Sequence, residues 1–161
     1  MSNALLIVDV QHYFLQDAPA DLAQRIKNHT QSVQYDHVLF AIFKNTHNSY
    51  FAKTLKWDKC STPEDTQPPK EFADLITRDN TFTRASYSAF KTTNLHQYLH
   101  KRHVERLVIC GVDSDACVLA TAFEAFDLGY HVKIDFSLTY SSNDLHEASR
   151  LIAMKNILSR D

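Results

Sequence analysis

The chain has 161 residues, 44% of them apolar and 22% charged, with a formal net charge of −2. That length suits one domain, 1–161, with a core that needs no staples. No basic stripe points to nucleic acid, no lysine-rich tail points to a membrane surface, and three cysteines without close pairing argue against a disulfide framework or a zinc knuckle.

The opening, MSNALLIVDV, has no basic leader, and Asp9 breaks its apolar run. It predicts neither a signal peptide nor a spanning helix, so a cytoplasmic location is expected. Residues 4–10 form a short run without alternation, the pattern of a strand buried on both faces. In 21–33, Leu22, Ile26, His29 and Val33 share one helical face. HVLFAIF (37–43) is a second buried strand. Residues 44–70 are the one long irregular segment and carry Tyr50, Trp57, Cys60 and three of the four prolines. A loop of that length in a compact domain is a lid or binding loop. A short helix follows at 71–76, a strand at 80–85 and a helix at 93–102.

VERLVICGV (104–112) is the third strong strand and runs into a helix over 115–129. The chain's two glycines bracket that passage. Gly111 lets the strand turn sharply, and Gly129 suits a left-handed cap at the helix end. A strand over 130–136 and an amphipathic helix over 143–158 complete the chain. Strands alternating with helices predict a three-layer α/β/α, Rossmann-like fold with a parallel sheet. Such sheets bind ligands beyond the carboxyl ends of their strands, where the strand order reverses.

Three side chains stand out at strand ends. Cys117 follows the 104–112 strand at a helix start, where backbone N–H groups and the helix dipole lower a thiol pKa. It reads either as a nucleophile or as a small buried hydrophobe. Asp9 ends an apolar strand and is either a site group or a turn cap. Arg84 ends the 80–85 strand and is either part of the same site or a surface ion-pair partner. Phe14, Tyr50, Trp57, Tyr87 and Phe90 could line an apolar pocket above these groups, or belong to the core. The lysines of KTLKWDK (53–59) read as a solvated loop face.

These segments resemble a family. DVQHYF (9–14), RASYSAF (84–90) and CGVDSDACVLATAFEAFDLGY (110–130) resemble, in order and at compatible spacing, motifs of the isochorismatase-like cysteine hydrolases. That family includes nicotinamidases, N-carbamoylsarcosine amidases and isochorismatases. The resemblance implies a mostly parallel six-stranded sheet and a catalytic Asp–Lys–Cys triad. Carried over by position, Asp9 is the general acid/base, Cys117 the nucleophile that forms a thioester acyl-enzyme, and Arg84 stands at the lysine. The backbone N–H groups of Asp113 and Cys117 would form the oxyanion hole, with a cis peptide at Val112–Asp113. A homo-oligomer, dimer or tetramer, is implied as well.

The departures matter as much. Arginine keeps the lysine's charge but shuttles no proton and grips carboxylates in a planar fork. The nicotinamidases' zinc-binding D-x-H reads Asn45-Thr46-His47 here, and an amide is a poor zinc ligand. No metal or other cofactor is therefore expected. Asp113 adds a carboxylate beside the oxyanion hole. Two readings stay open: a metal-independent cysteine hydrolase acting on a small amide-type substrate, and a catalytically impaired binding or scaffold protein. A dinucleotide binder is disfavoured, because no glycine-rich loop follows the first strand.

Overall fold

In the computed structural model, which describes residues 1–158, the strands are β1 (Ser2–Val8), β2 (His37–Phe43), β3 (Thr81–Arg84), β4 (Val104–Val112) and β5 (His131–Tyr140). They form one sheet in the order β3-β2-β1-β4-β5, and every pairing is parallel. The chain moves outward from β1 to β3, returns across the sheet, and moves out the other way through β4 and β5. The order reverses between β1 and β4, so the expected ligand crevice lies at their carboxyl ends. The six-stranded sheet is corrected to five strands among the described residues. The strands read from the sequence number the same five, and the sixth came only with the resemblance.

Alternation along β1 builds the core. Ala4, Leu6 and Val8 pack on one face with Leu95 and Leu99 of α5 (Leu95–Lys101), Ala122 and Ala125 of α6 (Leu119–Asp127), and Ala153 of α7 (His146–Asn156). Leu5 and Ile7 pack on the other face with Leu22 and Ile26 of α2 (Leu22–Ser32) and with Phe72. Each fully buried side chain of this size contributes about 1.5–3 kcal/mol. Shorter helical turns lie between: α1 (His12–Leu15), α3 (Tyr50–Lys53) and α4 (Pro63–Thr66). No helix among the described residues is long and apolar enough to cross a membrane.

The two glycines do different work. Gly129 (φ +93°) follows the last turn of α6, where its N–H donates to the Phe126 carbonyl (2.9 Å) and that of Tyr130 to the Ala125 carbonyl (3.1 Å). This is the Schellman closure expected of it. Gly111 does not turn the chain out of the strand. It sits inside β4, at an irregularity in the β4–β5 register, with φ +116°. A Cβ there would stand 2.1 Å from the Val8 carbonyl oxygen, so glycine permits the close approach of β1 and β4 beneath the site.

Candidate active site

Asp9 follows β1 directly. Its backbone is left-handed (φ +55°), its N–H donates to the Ala41 carbonyl (2.9 Å), and its side chain is 1% exposed. Such a conformation in a non-glycine residue is strained, and aspartate tolerates it better than most. Arg84, the last residue of β3, meets Asp9 in a two-point fork: Nη1 donates to Oδ1, and Nη2 donates to Oδ2 at 3.1 Å. The remaining guanidinium donors reach the Tyr87 carbonyl (2.9 Å) and the Ser88 carbonyl (3.4 Å), and the group lies over the Phe43 ring. Burial alone would lower the arginine's pKa, but the charge and hydrogen bonds of Asp9 outweigh it and hold it above the usual value.

Cys117 follows β4 in a single π-turn, Ser114–Val118, and the regular helix starts only at Leu119. The Val112–Asp113 peptide is cis, as the resemblance implied. The Asp113 carbonyl accepts from the N–H groups of Ala116 and Val118, at 3.1 Å each, and the Cys117 N–H between them takes no part. The lowered thiol pKa expected of a helix start is corrected. Burial pushes the Cys117 thiol well above its usual value, the Asp9 charge adds to this, and Arg84 opposes it. Burial, with a carboxylate facing the sulfur, outweighs what the start of a helix supplies.

Above these groups is a cavity of about 180 Å³. Asp9, Cys117, Ala116 and Asp113 line it, and its walls are Phe14, Phe43, Phe51, Leu55, Trp57 and Tyr87. The rings touch in series: Phe14 stacks on Trp57 (6.5 Å between centroids), Phe43 packs on Phe51 (5.0 Å), and Phe51 on Tyr87 (4.8 Å). Of the aromatics singled out in the sequence, Phe14, Trp57 and Tyr87 are here. Tyr50 is not: it is 83% exposed, and its neighbour Phe51 faces the cavity instead. Phe90 is buried in the core against Tyr130. Lys53, Lys56 and Lys59 are exposed while Trp57 of the same stretch turns inward.

Sequence reasoning missed the supports of this site. Gln11 is fully buried and bonds both backbone groups of Phe43, accepting from its N–H and donating to its carbonyl at 2.8 Å each, and it also donates to the Thr66 carbonyl (3.0 Å). It ties the ends of β1 and β2 to the 44–70 loop. The hydroxyl of Thr121 on α6 accepts from the Ala89 N–H (3.0 Å) and anchors the 84–90 segment. The segment after β5 grips the π-turn at three successive residues. Ser142 donates to Asp113 (2.6 Å), Ser141 (2.6 Å) and Asn143 (3.1 Å) donate to Asp115, and His146 Nδ1 meets the Ser114 hydroxyl (3.0 Å). Gln11 and Thr121 stood inside the quoted motifs, so their positions were visible and their partners were not.

The residues at the zinc position of nicotinamidases do not fit a metal. The Asn45 amide nitrogen donates to the Trp57 and Lys59 carbonyls (3.0 Å each), and its oxygen accepts from the Thr46 N–H (2.9 Å) and the Ser49 hydroxyl (2.5 Å). The side chain is consumed in pinning the loop, and His47 is exposed. No three metal-ligating side chains come together among the described residues.

The fold and the site define a doubly wound α/β protein with a buried cysteine and aspartate at its switch point. The chain belongs to the isochorismatase domain family, which it matches over residues 3–159. It is 26% identical over 162 residues to the isochorismatase family protein YwoC of Bacillus subtilis, covering 91% of this chain and 82% of that one. It is 34% identical over 80 residues to a probable inactive nicotinamidase of Arabidopsis thaliana, 49% of this chain and 41% of that protein. The crystal structure of a pyrazinamidase/nicotinamidase from Streptococcus mutans superposes with a TM-score of 0.78 at 26% identity, covering 96% of each chain.

Proposed function

We propose that this protein is a metal-independent cysteine hydrolase of small carboxamides, with Cys117 as nucleophile and Asp9 as general acid/base. One observation carries the reading: the Cys117 thiol lies within interaction range of both Asp9 and Arg84 and lines an open, aromatic-walled cavity. The sulfur attacks the amide carbonyl carbon as its proton passes to Asp9. The oxyanion forms against the N–H groups of Asp113 and Cys117. Asp9 returns the proton to the nitrogen, the C–N bond breaks, and an amine or ammonia leaves a thioester on Cys117. Water, deprotonated by Asp9, then releases the carboxylic acid and restores the thiol. Arg84 holds Asp9 in place with its positive charge and moves no proton.

A second reading has its own support. The Arg84 fork occupies both oxygens of Asp9, and a partial relative is described as a probable inactive nicotinamidase. In that reading the cavity binds a ligand without turning it over. The deciding experiment incubates the purified protein with a panel of small carboxamides. Ammonia release and an acyl adduct on the Cys117 peptide are followed by mass spectrometry, with Cys117→Ala as control. Adduct and ammonia in the wild type alone support the hydrolase; neither, in wild type or Arg84→Lys, sinks it.

The reading includes a cytoplasmic homo-oligomer, a dimer or tetramer. Exposed Phe126 on α6 and Leu151, Ile152 and Met154 on α7 support the assembly, because a second copy could cover them. Light scattering on a sizing column measures it.

A further inference from the structure

The cavity at Cys117 has two neighbours that share its walls. One adds Tyr13, Gln16, Asp17 and Ser142 beyond Phe14, Trp57 and Asp113. The other meets it at Tyr87 and Ala116 and adds Asp115 and Phe123. Across these three cavities the ionisable lining groups besides Cys117 and the tyrosines are Asp9, Asp17, Asp113 and Asp115, and no lysine, arginine or histidine lines any of them. Arg84 neutralises Asp9 from beneath. Asp113 and Asp115 are held only by neutral groups, the hydroxyls of Ser142 and Ser141 and the Asn143 amide. His146, bonded to the same turn, is turned to the Ser114 hydroxyl.

A ligand in this cavity therefore meets aromatic side chains and a carboxylate with no cationic partner. Ring faces attract cations, and a carboxylate ligand would find no positive group to replace its water. We propose that the Cys117 cavity selects a small carboxamide bearing a positive charge, held between its aromatic walls and the carboxylate of Asp113, and rejects carboxamides bearing a carboxylate. Asp113, beside the oxyanion position, is then a specificity group. Its charge opposes the oxyanion formed on a neutral substrate and is balanced when a cationic substrate fills the site.

The word carboxamide rests on the hydrolase reading; the charge selection does not, and binding tests it alone. Three ring carboxamides of matched size serve as probes: 1-methylpyridinium-3-carboxamide (cation), benzamide (neutral) and 3-carbamoylbenzoate (anion). Titration calorimetry with Cys117→Ala removes turnover. The cation is expected to bind about tenfold tighter than benzamide, with the anion weakest. Asp113→Asn should remove most of the cation's advantage over benzamide. If that variant does not fold, Trp57→Leu should lower cation affinity more than benzamide affinity. Equal affinities, tighter binding of the anion, an undiminished cation advantage in the variant, or no binding of any probe would overturn the proposal. Cation-selective binding without hydrolysis by the wild type sinks the hydrolase reading alone, and hydrolysis that favours the anion sinks the charge selection alone.

Discussion

Asp9 and Arg84 form a fully buried ion pair in which the guanidinium meets both carboxylate oxygens, 0% and 1% exposed on the two sides. A buried pair of this kind adds little net stability while intact, and is costly to break from one side only. It is also the one contact through which the residue at position 84 acts on the proposed acid/base.

Arg84→Lys replaces a planar fork with a point charge and frees one Asp9 oxygen for proton transfer. Carboxamide hydrolysis is expected to rise about tenfold, equivalent to ~1.4 kcal/mol of barrier. Arg84→Met leaves the carboxylate buried and unpaired and should cost about 3–5 kcal/mol of stability. Urea denaturation measures this, and Asp9→Asn in the same chain should recover most of it. An Arg84→Met protein as stable as wild type would mean the pair is not buried in solution.

Cys117 should be slow to alkylate in the unliganded protein. Its thiol pKa is raised by burial and by Asp9, so the reactive thiolate is scarce at neutral pH. The iodoacetamide rate, followed on the Cys117 peptide, should stay below that of a free thiol at pH 7.5 and climb only above pH 9. Asp9→Asn should raise the rate, because it removes the facing charge. A plateau below pH 8 would contradict the buried, protonated thiol.

The buried thiols also set an alkaline limit. The Cys60 thiol is pushed up to about 12, mainly by burial. In the unfolded chain an ordinary thiol titrates near 9, so between these values the folded state binds more protons than the unfolded one. The stability this group contributes is complete below about pH 9 and is lost as pH rises towards 12. Melting temperature should fall across that window, and the slope should flatten in Cys60→Ala.

Asn45→Ala removes all four side-chain bonds that pin the loop over Trp57. A loss of about 1–3 kcal/mol is expected from the carbonyls left unpaired. Limited proteolysis should cut first within residues 46–59. Asn45→Asp should behave similarly, because a carboxylate cannot donate to the Trp57 and Lys59 carbonyls. Zinc should restore neither variant.

The glycines offer a paired test. Gly111→Ala would put a methyl group 2.1 Å from the Val8 carbonyl oxygen. It should destabilise by more than about 4 kcal/mol or abolish soluble expression. Gly129→Ala meets nothing within 4 Å. It should cost only about 1 kcal/mol, the conformational cost of a left-handed cap. Similar melting temperatures for both would show that β1 and β4 are not so close.

Much of this architecture was legible in the sequence. All five strands were read from the sequence, β1, β2 and β4 as apolar runs; Asp9 and Arg84 stand where the first and third strands stop, and Cys117 in the turn after the fourth. Helix α6 was legible from period and cap, but the π-turn before it was not, because it keeps helical spacing nearly intact. Gly111 was misread, since its neighbour Val8 is about a hundred residues away in the chain. Tyr50 and Phe51 could not be told apart without the phase of a one-turn helix. Asn45 carried its signal in plain sight as a departure from a zinc motif, while its structural role depends on carbonyls a dozen residues on.

The grip of Ser141, Ser142, Asn143 and His146 on the π-turn gives the protein an order of completion. Asp9, Arg84 and Cys117 all precede in the chain the residues that hold the turn. The clasp is thus the last part of the site's surroundings to be made. The turn that carries Cys117 reaches its final shape only when β5 has docked at the sheet edge and the segment behind it has closed on residues 113–115.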